Sequence, residues 1–206
     1  VYGNAMSEEY RRYMRDEWGT EKRGDGPLFE KLCLEGAQAG LSWATILAKR
    51  EAYRKAFRQF DINKCAHMSD AYIESLLQPQ ENTRGSIVRH RGKVESVRHN
   101  ARCVLQLQQA RDLAGAIRPS AGYFDEFLWS FVGGKPQLNA WPNAAAIPSE
   151  SDVSRAMSRE LKQLGFKFVG PKICYSLMQS CGLIVDHPQD TLEWRAAKAR
   201  LSRGVK

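Results

Sequence analysis

The 206-residue sequence has no apolar run that approaches the roughly 20 residues needed by a membrane-spanning helix. Its N-terminus also lacks the charged, then apolar, then small-residue order of a secretory leader. The five cysteines form no CxxC pair, and an odd number spread along the chain is not a disulfide framework. These absences predict no membrane association and reduced thiols, as expected of a cytoplasmic protein.

Sustained period-two alternation is also absent, whereas apolar residues recur at helical spacing through most of the chain. The segment YFDEFLWSFVGG, for example, places Phe124 and Phe131 on one face of a predicted helix. Ser42 is placed to cap a helix that continues through Tyr53, and a long helix is expected over residues 87–110. The predicted fold class is therefore all-α.

Basic residues outnumber acidic ones by 31 to 23, which gives a net charge of +8 and an isoelectric point near 9.4. This balance favours a polyanionic partner. Charge alone, however, does not decide between nucleic-acid binding and no such binding. A basic group formed by Arg89, His90, Arg91 and Lys93 opens the predicted long helix. A solvated charged face is the ordinary explanation for such a run, and no specific contact is assigned to it.

Residues 152–182 read as two helices joined by a five-residue hairpin, with the second helix beginning at Gly170. A glycine at a helix entrance lets a phosphate approach the free N–H groups and the positive end of the helix dipole. Lys167 and Lys172 flank this point. An ordinary helical hairpin explains the same pattern, but the basic composition favours a sequence-independent DNA contact.

The stretch LCLEGAQAGLSWATIL places Glu35 among small and apolar residues, with Trp43 close behind it. The ordinary explanations are a capping or ion-paired carboxylate and a core tryptophan. A carboxylate near the C-terminus of a helix, however, opposes the helix dipole. The joint spacing of these residues therefore favours a functional site.

Three segments together carry a resemblance: LFEKLCLEGAQAGLSWATILAKREAYRKAF, FDEFLWSFV and LGFKFVGPKICYSLMQSCGLIVDH. Over residues 10–187 the chain resembles the DNA-3-methyladenine glycosylase I family of the helix-hairpin-helix superfamily. The resemblance implies a two-lobed helical fold with the base pocket between the lobes. We expect one glycosylase domain over residues 1–206, with an additional basic helix over residues 190–204, acting as a monomer on double-stranded alkylated DNA.

The resemblance implies that Glu35 is the catalytic residue, which hydrogen-bonds a flipped base, and that Trp43 stacks on that base. Tyr10 and Tyr13 would line the pocket. An N3-methylated adenine is cationic, so a carboxylate and an indole face would both favour it over adenine. The implied reaction is hydrolysis of the N-glycosidic bond of 3-methyladenine. The DNA contacts that we predict are Ala39, Gly40, Leu41, Lys167, Gly170 and Lys172.

The chain departs from the family at its structural zinc site. No cysteine precedes Cys33, Met14 stands where the family has its first histidine ligand, and Thr191 stands where it has its last cysteine. Only His187 is retained, and because a structural zinc needs four ligands we expect no metal and no cofactor. The N-terminal tryptophan of the family pocket is also missing, and Tyr2 is a candidate substitute.

Three alternatives stay open on the sequence. Asp186 is either a second catalytic carboxylate, as in many superfamily relatives, or a helix-capping residue. Lys172 follows Gly170 at the spacing of the lysine that forms a Schiff base in bifunctional glycosylase/abasic-site lyases, but a phosphate contact explains it as well. With the zinc ligands gone, the protein could also be a non-catalytic module that binds alkylation damage.

Overall fold

The computed structural model describes residues 7–79, 86–117 and 119–203, and Tyr2 therefore lies outside the described residues. The described residues are mostly helical, which confirms the all-α class. The α-helices are α1 (Glu8–Asp16), α2 (Asp25–Gln38), α3 (Trp43–Leu47), α4 (Arg50–Ala56), α5 (Ile62–Ala66), α6 (Asp70–Leu77), α7 (Arg91–Leu113), α8 (Tyr123–Ser130), α9 (Asp152–Gln163), α10 (Pro171–Ser180) and α11 (Leu192–Arg203). Two 3-10 helices, Arg58–Phe60 and Ala144–Ala146, and two strands, β1 (Gln137–Leu138) and β2 (Ile184–Val185), complete them.

Helix α2 lies at the centre of the fold and packs against α3, α7, α8 and α10. Its residues Leu28, Phe29 and Leu32 are fully buried and belong to the apolar cluster that forms the core. Burying side chains of this size contributes roughly 1.5–3 kcal/mol each. The same helix also carries Lys31 and Glu35 into the interior, so the central packing element brings charged groups with it.

Serine caps start several of these helices. The Ser42 and Ser151 side chains each accept a hydrogen bond from a first-turn N–H group, and Ser151 and Ser154 cap one another reciprocally. Such caps contribute about 1 kcal/mol each. The predicted cap at Ser42 is confirmed, and its effect is to fix Trp43 as the first residue of α3.

Two predicted helix boundaries are wrong. The helix expected to run from Ser42 through Tyr53 is broken between α3 and α4, because the backbone of Lys49 (φ −105°, ψ 0°) leaves the helical region. The long helix starts at Arg91 rather than residue 87, because His90 adopts an extended conformation and its Nδ1 caps the helix. In both cases the apolar residues keep helical spacing across a residue whose own backbone is not helical.

Helices α9 and α10 form the predicted helix-hairpin-helix, with Pro171 at the first position of α10. In the turn between them Phe168 has a φ of +55°, which is unusual for a residue other than glycine. Phe168 packs directly on α2, where a Cβ added at Gly36 would lie 3.1 Å from the Cβ of Phe168. A glycine beside Glu35 is therefore what lets the hairpin approach the central helix.

The two short strands were not expected from the sequence. They pair in parallel, with Gln137 opposite Ile184, and they bring Asn139 and Asp186 together. The expected C-terminal helix is present as α11, and the Nε1 of its Trp194 donates to the Asn139 carbonyl at 2.7 Å. No helix formed by the described ranges is long and apolar enough to cross a membrane.

Candidate active site

A cavity of about 210 Å³ opens where α1, α2 and α3 meet α10. It is smaller than the roughly 300–1,000 Å³ typical of drug-sized pockets, so it suits a small ligand. The structure brings together here the four residues that the sequence assigned to a base pocket. The residues that line the cavity are Tyr10, Tyr13, Met14, Trp18, Glu35, Gln38, Trp43, Ser176 and Gln179.

The carboxylate of Glu35 is held by one of its oxygens. The side chain is 4 % exposed, and its Oε1 accepts a hydrogen bond from the Ser180 hydroxyl at 3.0 Å and lies 3.0 Å from the Lys31 ammonium. Its Oε2 has no protein partner within the described ranges. Because Glu35 lines the cavity, Oε2 is the oxygen left for a ligand.

Lys31 was not singled out by the sequence analysis, yet it lies at the centre of the site. Its ammonium pairs with Glu35, donates to the Tyr13 hydroxyl at 2.9 Å and lies 3.7 Å from the centre of the Trp43 ring. Burial first, and then the negative charge of Glu35, raises the pKa of Tyr13, so the phenol stays protonated. The available sequence signal was the i,i+4 spacing of Lys31 and Glu35 on one predicted helix.

Trp43 forms an aromatic wall of the cavity. Its ring lies 5.2 Å from that of Tyr13 at an angle of 42°, and Tyr10 contacts Tyr13 edge-on. The indole Nε1 of Trp43 is buried without a hydrogen-bond partner, the sole case among buried side-chain atoms in the described part of the chain. An unsatisfied buried donor is costly, so it calls for an explanation, and a functional role is one.

The turn formed by Ala39, Gly40 and Leu41 follows α2 directly, at the edge of the cavity. Gly40 has a φ of +74°, and Leu41 is 41 % exposed. From α7, the ammonium of Lys93 donates to the carbonyls of Ala37 and Ala39 at 2.9 and 2.5 Å. One member of the basic group therefore makes a specific contact that the sequence analysis did not assign.

The hairpin is also fastened to α7. The Asn100 amide brackets Lys167, donating to its carbonyl at 3.0 Å and accepting from its N–H at 2.8 Å. The Ser158 hydroxyl donates to the Val169 carbonyl at 2.6 Å. No side chain caps α10 at Gly170, so its first-turn N–H groups are not used by a cap. The side chains of Lys167 and Lys172 are exposed beside this turn.

Asp186 is fully buried and accepts four hydrogen bonds. Its Oδ1 accepts from the side chains of Asn139 and Trp141 at 2.5 and 2.8 Å. Its Oδ2 accepts from Tyr175 and Gln179 at 2.6 and 3.0 Å. Burial and the bond to Asp186 raise the pKa of Tyr175. Asp186 therefore touches the cavity only through Gln179.

The residues at the family's zinc positions do not make a zinc site. Met14 lines the cavity, and the His187 ring packs edge-on against Trp18 with ring centres 4.9 Å apart. Zinc requires four nitrogen, thiolate or carboxylate ligands in a closed site. Across the described ranges, no group of three or more histidine, cysteine, aspartate or glutamate residues is placed to hold a metal ion. The residues at the family's zinc positions therefore do not supply the four ligands that a structural zinc ion needs.

Comparison with known proteins finds relatives that match most of the chain. DNA-3-methyladenine glycosylase 1 of Escherichia coli is 44 % identical over 178 residues, 86 % of this chain and 87 % of that protein. DNA-3-methyladenine glycosylase of Haemophilus influenzae is 41 % identical over 181 residues, covering 88 % and 90 %. The solved structure of 3-methyladenine DNA glycosylase I from Staphylococcus aureus superposes with a TM-score of 0.81 at 35 % identity, covering 92 % and 93 %.

The family model described as methyladenine glycosylase matches residues 3–194, from before α1 to the first turn of α11. This match includes every residue that lines the cavity and the whole helix-hairpin-helix. The chain belongs to the methyladenine glycosylase family.

Proposed function

We propose that this protein is a monofunctional DNA glycosylase that flips 3-methyladenine out of alkylated duplex DNA and hydrolyses its N-glycosidic bond in base excision repair. The observation that carries the proposal is the cavity itself, in a chain whose relatives are named for this activity. Glu35 offers one unpartnered oxygen to the cavity, and Trp43 offers an indole wall.

Recognition follows from the charge of the lesion. Adenine methylated at N3 in DNA carries a positive charge, and a carboxylate oxygen and an indole face both attract a cation more than a neutral base. Oε2 of Glu35 would accept a hydrogen bond from the flipped base while Trp43 stacks on it. Tyr10 and Tyr13 would complete the wall. Because a damaged base pairs and stacks less well, its extrusion also costs less.

The chemical step needs little proton transfer. As the bond between the sugar C1′ and the base nitrogen breaks, its electron pair neutralises the cationic ring and the sugar becomes oxocarbenium-like. Water then adds to C1′ and loses a proton to solvent. The negative charge of Glu35 would stabilise the positive charge that moves from base to sugar, which is electrostatic stabilisation in a partly dry site.

The DNA contacts would divide into a wedge and a grip. The turn at Ala39, Gly40 and Leu41 presents an exposed leucine to the gap left by the flipped base. The entrance of α10 at Gly170, with Lys167 and Lys172, would bind backbone phosphates without reading sequence. We propose that the protein does this as a monomer, as one domain, in the cytoplasm of a bacterium and at its nucleoid.

The same geometry bears on the alternatives. All four hydrogen-bonding positions of Asp186 are occupied, so we propose a structural rather than a catalytic role for it. Lys172 is exposed, whereas a nucleophilic amine is usually desolvated, so we propose no abasic-site lyase activity. We also propose that the fold needs no zinc.

The first test is base release from methylated genomic DNA, with the released bases identified by chromatography and mass spectrometry. The wild-type protein should release 3-methyladenine, and Glu35→Gln should slow release at least about 100-fold. Glu160→Gln is the matched control, because Glu160 is an exposed glutamate on α9. Its release rate should equal that of the wild type.

Each alternative has its own outcome. Tight binding of alkylated DNA without release, by folded wild-type protein, would favour the non-catalytic module. Covalent trapping on abasic DNA by borohydride that is lost in Lys172→Ala would favour the lyase. Stoichiometric zinc in protein purified without added metal would contradict the metal-free proposal.

A further inference from the structure

Lys31 places a positive charge beside the cavity in which the proposed substrate, a cationic base, would bind. It is 6 % exposed, and three groups surround its ammonium: the Glu35 carboxylate, the Tyr13 hydroxyl and the Trp43 ring. A carboxylate and an indole are the same two groups that would attract a cationic base. The protein therefore supplies an internal cation to the groups that select the lesion.

Lys31 lies beside the base cavity without lining it. A second, smaller cavity of about 50 Å³ adjoins the first, and Trp43 lines both of them. Lys31 lines only the second cavity. The ammonium lies 3.7 Å from the centre of the Trp43 ring and contacts Tyr13 and Glu35, which do line the base cavity. It is close enough to act on the base electrostatically without occupying the place of the base.

Glu35 pairs directly with Lys31, and Glu17 lies close enough for its charge to interact with Lys31 as well. The acids that line the second cavity already have arginine partners: Glu17 pairs with Arg50 at 2.6 Å, and Glu30 pairs with Arg54 at 2.7 Å. Glu35 is the single carboxylate within the described ranges that pairs with Lys31. The pair formed by Lys31 and Glu35 has no formal net charge, although Glu35 alone would give the pocket one negative charge.

We propose, on the basis of the function proposed above, that Lys31 is a specificity-determining residue that weakens the preference of the pocket for cationic over neutral bases. Its charge compensates Glu35 and already lies over the Trp43 ring, so a cationic base gains less there than it would from Glu35 and Trp43 alone. A neutral base loses nothing by the presence of Lys31. The consequence is a wider base range and weaker retention of a charged ligand.

The test separates the charge of Lys31 from its hydrogen bonds. Lys31→Gln keeps a donor for Glu35 and Tyr13 but removes the charge, Lys31→Met removes both, and Lys31→Arg keeps the charge. Two quantities are measured: kcat/KM for release of 3-methyladenine from methylated DNA, and Kd for the neutral product base by tryptophan fluorescence. Thermal melting of each variant establishes that it is folded.

We expect kcat/KM to rise about tenfold in Lys31→Gln, because removing a unit charge a few ångströms from the base relieves a repulsion of that size. Lys31→Met should change in the same direction, and Lys31→Arg should match the wild type. Kd for the neutral base should change less than about threefold in all three variants, because a neutral ligand feels little of the charge.

Two results would overturn the proposal. If kcat/KM falls in folded Lys31→Gln, Lys31 assists the reaction instead of restraining it. If kcat/KM and Kd change together by the same factor, Lys31 only shapes the cavity. Failure of the wild type to release any base would instead contradict the proposed glycosylase function, so the two proposals fail separately.

Discussion

Two buried carboxylates, Glu35 and Asp186, differ in how many of their oxygens the protein uses. The two oxygens of Asp186 together accept four hydrogen bonds. Glu35 uses only Oε1, which contacts the Ser180 hydroxyl and the Lys31 ammonium, and its Oε2 is left for the cavity. Neighbouring residues of α10 serve the two acids, since Gln179 donates to Asp186 and Ser180 donates to Glu35. A buried carboxylate whose oxygens are all hydrogen-bonded stabilises the fold. A carboxylate with a free oxygen beside a cavity is available to bind a ligand.

The largest expected effect is on catalysis and falls on one acid alone. In single-turnover release of 3-methyladenine, Glu35→Gln should lose about 100- to 1,000-fold in rate, equivalent to about 2.7–4 kcal/mol of transition-state stabilisation. Asp186→Asn, measured at a temperature at which it is folded, should stay within about threefold of the wild type. Comparable rate losses in both variants would end the distinction between the two acids.

The second effect is on stability and should fall on the other acid. Asp186→Asn turns an amide N–H₂ toward groups that are themselves donors, so a buried hydrogen-bonding network is broken. We expect the free energy of unfolding to fall by about 3 kcal/mol. Urea denaturation followed by tryptophan fluorescence measures this, and a loss below about 1 kcal/mol would mean that the four bonds contribute little.

A matched pair of hydroxyl deletions sharpens the contrast. Tyr175→Phe removes one donor from Asp186, and Ser180→Ala removes one from Glu35. Each should cost about 1–2 kcal/mol of stability, the usual value of a bond to a charged group. Only Ser180→Ala should also slow base release, by about fivefold, because only it frees Oε1 of Glu35 to move. Equal rates in the two variants would show that the anchoring of Oε1 does not matter.

The smallest expected effect is on DNA affinity and does not involve Glu35 or Asp186. Lys167→Ala removes an exposed charge from the proposed phosphate grip, which lies on the hairpin and not in the cavity. Affinity for duplex DNA should fall similarly on all sequences, and the slope of log K against log salt should become shallower by about 0.9. The release rate at saturating DNA should not change. A changed rate there would mean that the grip also positions the lesion.

The sequence predicted the parts of this molecule that depend on local spacing. Helical periodicity was enough for the all-α class, for the helix-hairpin-helix and for α11, and the block around Glu35 was enough to bring Trp43 beside it. It could not distinguish the two acids, because the donors to Asp186 include Asn139 and Trp141, far away in the chain. The strands that bring them together are two residues long and leave no period-two pattern.

The importance of Lys31 was hidden for a related reason. On a helical face it reads as one more solvated lysine, and only the fold encloses it, by placing Tyr13 of α1 and Trp43 of α3 against its ammonium. The basic group at the start of α7 shows the same limit. Lys93 looks like a surface charge in the sequence, but in the fold it is bound to the carbonyls at the end of α2, and burial lowers its pKa.

Helix α7 holds both parts of the proposed DNA surface. Lys93 fastens the turn after α2, and Asn100, about two helical turns further on, fastens the hairpin. One helix therefore sets the distance between the proposed wedge and the proposed grip. If both regions contact DNA, a mismatch in shape would be met by deforming the duplex, whose stiffness varies from step to step. On the proposed function, DNA already weakened at one base would adapt to this fixed spacing more readily than undamaged DNA.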